Sequence, residues 1–199
     1  MRNPISFSIL VKMLNCIHLI FNDKYTVCLL RCMFILAFRA FLRISEMTYD
    51  TNHSSVNHCL KLSDVKINVK DNLIEVIFRS FKHKTDAKPF SLVIKGDSSS
   101  NCPVKLLAEY LNMRKYCDGP LFLIKDGTPV NRSFFNDKLA YVLSFCQLNK
   151  KMHIRSHSFR IGAATFAIEN GYSYEQVQVM GRWNSQAFKR YIRVNSFTV

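Results

Sequence analysis

The sequence predicts a mainly helical α+β domain with a small antiparallel sheet inserted early in the chain. Three observations carry this. Two long N-terminal stretches repeat apolar residues every three or four positions, the period changes to alternation between Cys59 and Gly96, and helical spacing returns from Pro103 onward. Breakers are scarce, with 6 Gly and 5 Pro in 199 residues, which leans toward helix. A hydrophobic fraction of 48% fills an ordinary core, and one domain over 1–199 is expected.

Each element has its own signal. Ile5, Ile9, Leu10, Met13, Leu14, Ile17 and Ile20 predict a helix over 4–22. A second, mostly buried helix is predicted over 25–47, ending near Ser45-Glu46-Met47, and 50–58 reads as a polar loop. "CLKLSDVKINV", "LIEVIFRSF" and "FSLVIKG" then alternate as strands, the first two joined by the turn "KDN" and the last two by the basic turn "KHKTDAKP". Pro103 suits the first turn of a helix over "PVKLLAEYLNMRKYC". "DGPLFLIKDGTPV" reads as a hairpin-like segment, and Asn131 or Ser133 caps a helix over "NRSFFNDKLAYVLSFCQL". Helices follow over 156–170 and 173–180, separated by the stop Asn170-Gly171, and a short one over 184–193.

Charge narrows the function. Lys and Arg number 28 against 14 Asp and Glu, a net charge of +14. Such an excess opposes compaction through self-repulsion, so it points to a polyanionic partner, nucleic acid first and an anionic membrane surface second. A span is not expected, because Lys12, Asn15 and His18 interrupt the first apolar stretch, and Arg31 and Arg39 the second. No signal-peptide cleavage site follows the first stretch. The cysteines are seven, without a C-x-x-C pair, which reads as reduced thiols in an intracellular protein.

Three groups of residues are candidates for chemistry. His157 and Arg160 are spaced to share one helix face, ahead of the small residues Gly162, Ala163 and Ala164. Tyr191 lies in "GRWNSQAFKRYIRV" among Lys189, Arg190 and Arg193, where nearby cations would stabilise a phenolate or hold a phosphate. Arg43 follows a long apolar run and needs a partner there, for which Glu46 is spaced correctly. Taken singly, each fits a plain amphipathic helix. "HSSVNHC" matches no common zinc spacing, so no metal or other cofactor is expected.

Together, R-I-S-E after an apolar helix, a basic turn between strands, H-x-x-R, G-R-W and a late Tyr form an ordered set. The set resembles the catalytic domain of the tyrosine recombinases, the phage-integrase family. "FRSFKH", "CPVKLLAEYL", "GPLF", "HSFRIGAA" and "GRWNSQAFKRYIR" are most similar to recombinases of DIRS- and Crypton-type eukaryotic mobile elements. The resemblance covers roughly 5–195 and implies the integrase-like catalytic fold. By this likeness Arg43 and Arg160 are the catalytic arginines, His157 the histidine of H-x-x-R and Tyr191 the nucleophile. Trp183 takes the His/Trp position, with Arg182 the alternative one place further from Tyr191. The catalytic Lys of the turn is Lys82 or Lys84.

The resemblance further implies DNA breaking and rejoining through a 3′-phosphotyrosyl link. The partner is double-stranded DNA, bound as a homo-oligomer, a tetramer, without a membrane and in a nuclear setting. Arg79, Lys88, Arg155, Arg182 and Lys189 are expected to add phosphate contacts. The family's N-terminal DNA-clamping domain is expected to be absent, since only about 40 residues precede Arg43. The competing expectation is a non-catalytic DNA-binding remnant or domesticated derivative.

Overall fold

Ser6 starts the first helix: its Oγ accepts from the Ile9 N–H at 3.3 Å, satisfying one of the orphan donors of α1 (Phe7–Ile20). Asp23 does the same for α2 (Lys24–Arg39) through the Thr26 N–H at 3.0 Å. The structure is a computed structural model and describes residues 2–49, 58–80, 88–116, 118–148 and 152–192. α2 is the central element, buried almost all round from Cys28 to Phe38, and it packs on α1, α4 and α6.

The second helix stops earlier than its apolar run predicts. Phe41 takes a left-handed φ of 52°, and the Leu42 N–H closes back on the Ala37 carbonyl at 3.0 Å, the wide bond of a Schellman-type end. The chain is extended at Arg43 and resumes as the one-turn helix α3 (Ile44–Met47). Hydrophobic spacing runs straight through this corner because Leu42 and Met47 are buried on either side of it.

The sheet contains β1 (Val65–Asn68), β2 (Leu73–Phe78) and β3 (Phe90–Lys95), antiparallel in the order β1-β2-β3. Val76 stands opposite Val65 on one side and Leu92 on the other. Ile74, Val76 and Phe78 face the core, as the alternation requires. β1 is shorter than expected: the Asp64 carboxylate accepts from the Lys61 N–H at 2.9 Å and turns Leu62–Asp64 into a 3-10 helix. The basic turn lies outside the described residues, apart from Lys88 and its neighbour Pro89.

Next come α4 (Pro103–Met113) and the turn segment, where Leu123 bridges Pro129. α5 (Arg132–Phe145) follows, and Asn131 is its cap, accepting from Phe134 N–H at 2.8 Å. α6 (Ser158–Glu169) and α7 (Tyr174–Gly181) lead into a last 3-10 helix, Gln186–Tyr191. The corner after α2, the start of α6 and the end of α7 meet at one place, beside Phe78 of β2. Among the described residues, no helix is long and apolar enough to cross a membrane.

α6 is pressed against the N-terminal segment. The Ile5 N–H donates to the Ser158 carbonyl at 3.0 Å, and a Cβ on Gly162 would run into the Ile5 carbonyl. Gly to Ala inside a helix ordinarily gains about 1 kcal/mol. Here the sign reverses, since backbone must move to admit the methyl group. Gly162→Ala is therefore expected to lower the urea midpoint at unchanged m-value; a raised midpoint would refute the close approach.

Candidate active site

Glu46 sits at the bottom of the site, with 1% of its side chain exposed. It accepts the Arg43 backbone N–H at 2.7 Å, the Arg43 Nη1 at 2.9 Å and the Arg182 Nη2 at 2.9 Å. Burial alone would push its carboxyl up. Arg182, Arg43 and Arg160 pull harder in the other direction, so it stays ionised and below the ordinary glutamate range. One carboxylate thus faces three guanidiniums, and the cluster retains an excess of positive charge.

Two neighbouring carbonyls at the end of α7 each receive one arginine. Arg160 Nη2 donates to the Gly181 carbonyl at 2.7 Å, and Arg43 Nη2 to the Arg182 carbonyl at 2.9 Å. Arg160 also donates through Nη1 to the Phe41 carbonyl, joining α6 to the corner after α2. Arg160 is 1% exposed. Burial, then the charge of Arg43, brings its pKa down to about 9 against the pull of Glu46, so it is cationic at neutral pH. A buried cation not fully matched by carboxylate is stabilised by an arriving anion.

The aromatic side of the site is continuous. Arg160 Cζ lies 4.5 Å from the Trp183 ring centroid, Trp183 lies 5.9 Å from Tyr191, and Tyr191 meets the His157 ring edge-on at 4.9 Å. Trp183 also stacks on Phe188, which is fully buried and fastens the last 3-10 helix. A Cβ on Gly181 would occupy the Trp183 ring, so that glycine allows the indole to fold back under the site. Thr165 of α6 donates to the Tyr191 carbonyl at 3.3 Å and holds the backbone of the tyrosine.

His157 precedes α6 in helical backbone conformation, and its carbonyl accepts the Arg160 N–H at 3.1 Å. The expected shared face of His157 and Arg160 therefore exists although His157 is the cap. Burial lowers the His157 pKa to about 4, and Arg160, Arg2 and Arg43 add to this. The imidazole is neutral at physiological pH, able to accept a proton or to hydrogen-bond.

Arg43, His157, Arg160, Trp183 and Tyr191 are thus brought together. Lys82 and Lys84 lie outside the described residues. Lys88 and Arg155 are exposed, Arg79 is partly engaged by Asp64 at 2.7 Å, and Lys189 is exposed over the Tyr174 ring at 5.1 Å. Arg182 corrects the reading from sequence: its side chain is 1% exposed and lies under the site, not on a phosphate-facing surface. Its inward placement comes from tertiary partners, Glu46, Ala40, Phe41 and Phe78, and no local signal in the sequence marks it. Among the described residues no three His, Cys, Asp or Glu side chains group closely enough to hold a metal.

The fold, then, is one that gathers two arginines, a histidine, an indole and a tyrosine from four separate elements around one cluster of cationic side chains. The chain belongs to the phage integrase family, whose model matches residues 12–196 and so spans all five of these side chains. Solved structures agree on the fold. A XerH site-specific recombinase in a post-cleavage complex with its difH substrate superposes with a TM-score of 0.69 at 16% identity, over 96% of this chain and 49% of that one. XerA recombinase gives 0.67 at 16% identity, over 98% and 62%. The Tn1549 transposon integrase bound to circular-intermediate DNA gives 0.57 at 15% identity, over 98% and 62%. The chain therefore spans about half to three-fifths of the length of these relatives. No curated protein matches it by sequence.

The site makes a prediction about acid. An unfolded histidine titrates near 6.5, and folded His157 near 4. Between those values the unfolded chain binds the extra proton, so stability is complete above pH 6.5 and falls as pH drops through the window. Urea unfolding of wild type should show that slope, and His157→Gln should flatten it. An unchanged slope in the variant would place the titration elsewhere.

Proposed function

We propose that this chain is the catalytic part of a site-specific DNA recombinase or integrase that cuts and rejoins a strand through Tyr191. The observation that carries the reading is the convergence of Tyr191 and His157 on the Arg43–Arg160 pair, whose cationic excess suits a phosphodiester. Arg43 and Arg160 clamp the non-bridging oxygens and neutralise the charge that builds at the pentavalent phosphorus. Tyr191 Oη attacks phosphorus in line and the bond to the 5′ oxygen breaks. Neutral His157 takes the phenolic proton, and the basic-turn lysine, Lys82 or Lys84, protonates the leaving 5′ oxygen. The product is a 3′-phosphotyrosyl ester and a free 5′-hydroxyl. A second 5′-hydroxyl reverses the step without ATP, because the ester retains the bond energy.

Trp183 supports the tyrosine from beneath, and its N–H is of the right kind to donate to a phosphoryl oxygen. Exposed Lys88, Arg155 and Lys189, with Arg79, supply backbone contacts that position duplex DNA without reading sequence. Exchange of strands calls for several copies on paired sites, and a tetramer in the nucleus is our reading. The wording of the motifs supports a place among the DIRS- and Crypton-type recombinases.

The test is a duplex with a 5′-bridging phosphorothiolate, whose thiol leaving group makes cleavage irreversible. Wild type should form a covalent adduct resistant to denaturant. Tyr191→Phe should form none, and Arg160→Ala should cleave at least about 100-fold more slowly, as when a transition-state donor is removed. An adduct in Tyr191→Phe would refute the assignment. Duplex binding without an adduct in wild type would identify a DNA-binding derivative instead.

A further inference from the structure

Arg182 is a buried side chain with four hydrogen-bond acceptors, and the proposed reaction gives it no task. Its guanidinium donates to the carbonyls of Ala40 at 3.3 Å, Met180 at 3.1 Å and Phe41 at 3.1 Å, and to the Glu46 carboxylate at 2.9 Å. It also lies over Phe78 of β2, Cζ 3.6 Å from the ring centroid. Its backbone is equally unusual. Arg182 has φ 54°, and Phe41, one of its acceptors, has φ 52°; both positions favour glycine or asparagine. Two left-handed corners thus face each other, tied by one guanidinium.

These corners carry the acceptors for the substrate-facing arginines. Phe41 offers its carbonyl to Arg160, Gly181 offers its own to Arg160, and Arg182 offers its own to Arg43. Glu46, which orients Arg43 from below, is held by Arg182 on its other oxygen. We infer that Arg182 is a positioning residue: it touches no phosphate, and it sets the carbonyls and carboxylate on which Arg43 and Arg160 are aligned. It also has an electrostatic part. By occupying Glu46 it keeps that carboxylate from neutralising Arg43 completely, leaving cationic charge for an incoming phosphate. Lysine at this place keeps the charge but lacks the planar fork that reaches four acceptors at once.

This inference rests on the proposed strand cleavage, and the experiment separates the two. Arg182→Gly retains the left-handed corner and removes the guanidinium; Arg182→Lys retains a cation beside Glu46. Both are measured on the phosphorothiolate duplex at low temperature, with the folded fraction fixed by circular dichroism. Duplex affinity should stay within about threefold, while the single-turnover rate at saturating DNA falls about 100-fold and Lys restores little of it. In an Arg43→Lys background the further loss from Arg182→Gly should shrink, as it must if Arg182 acts through Arg43. Orthovanadate binding, followed by vanadium NMR, gives a readout without cleavage: wild type binds and Arg182→Gly binds at least tenfold more weakly. Wild-type rates and vanadate affinity in the folded variants would overturn the inference while leaving the cleavage mechanism intact. Failure of both variants to fold would make Arg182 a folding element and also overturn it. A wild type inert toward DNA and vanadate alike would overturn the parent reading and this one with it.

Discussion

A single buried carboxylate organises this molecule's chemistry. Glu46 lies between Arg43 and Arg182 with almost no access to water, and Arg160 stands close enough to lower its pKa further. Removing one partner of a buried ion pair typically costs about 3–5 kcal/mol, because the other charge is stranded. That cost ties the corner after α2 to the end of α7. The arrangement retains more positive than negative charge, which stability alone does not favour and which the proposed binding of a phosphodiester would use.

From that constraint the rest follows in order. The carbonyls of Phe41, Gly181 and Arg182 turn inward because the backbone at 41 and 182 is left-handed. They take up N–H groups of Arg160 and Arg43 and so fix both guanidiniums. Gly181 lets Trp183 fold back beneath Arg160, and the stack of Trp183 on Phe188 carries the final 3-10 helix to the place where Tyr191 meets His157. Two of the four left-handed non-glycine residues described, Phe41 and Arg182, meet at this cation cluster.

The parts legible in the sequence were those governed by local rules. Caps such as Asn131, the alternation of Ile74, Val76 and Phe78, and the stop at Asn170-Gly171 follow from period and turn chemistry. The gathering of Arg43, His157, Arg160, Trp183 and Tyr191 was anticipated only through the ordered motifs of the family. Other features are not local. The corner after α2, where left-handed Phe41 offers its carbonyl to Arg160 and Arg182, joins residues that no window of apolar spacing contains. The strong positive charge of the chain invites a DNA-facing reading of Arg182, as a phosphate contact or at the His/Trp position. Its partners Glu46, Phe41 and Phe78 lie more than a hundred positions away in sequence, and their contact is invisible until the chain is folded.

The central claim is that these side chains converge on one scissile phosphate. The direct measurement is a crystal structure with orthovanadate and the two DNA fragments flanking a cleaved strand, the vanadate standing in for the pentavalent phosphorus. The account predicts vanadium bonded in line to Tyr191 Oη, with its equatorial oxygens hydrogen-bonded to Arg43 and Arg160 and with Arg182 beneath, out of contact. Vanadate bound instead among the exposed Lys88, Arg155 or Lys189, with Tyr191 unengaged, would contradict it.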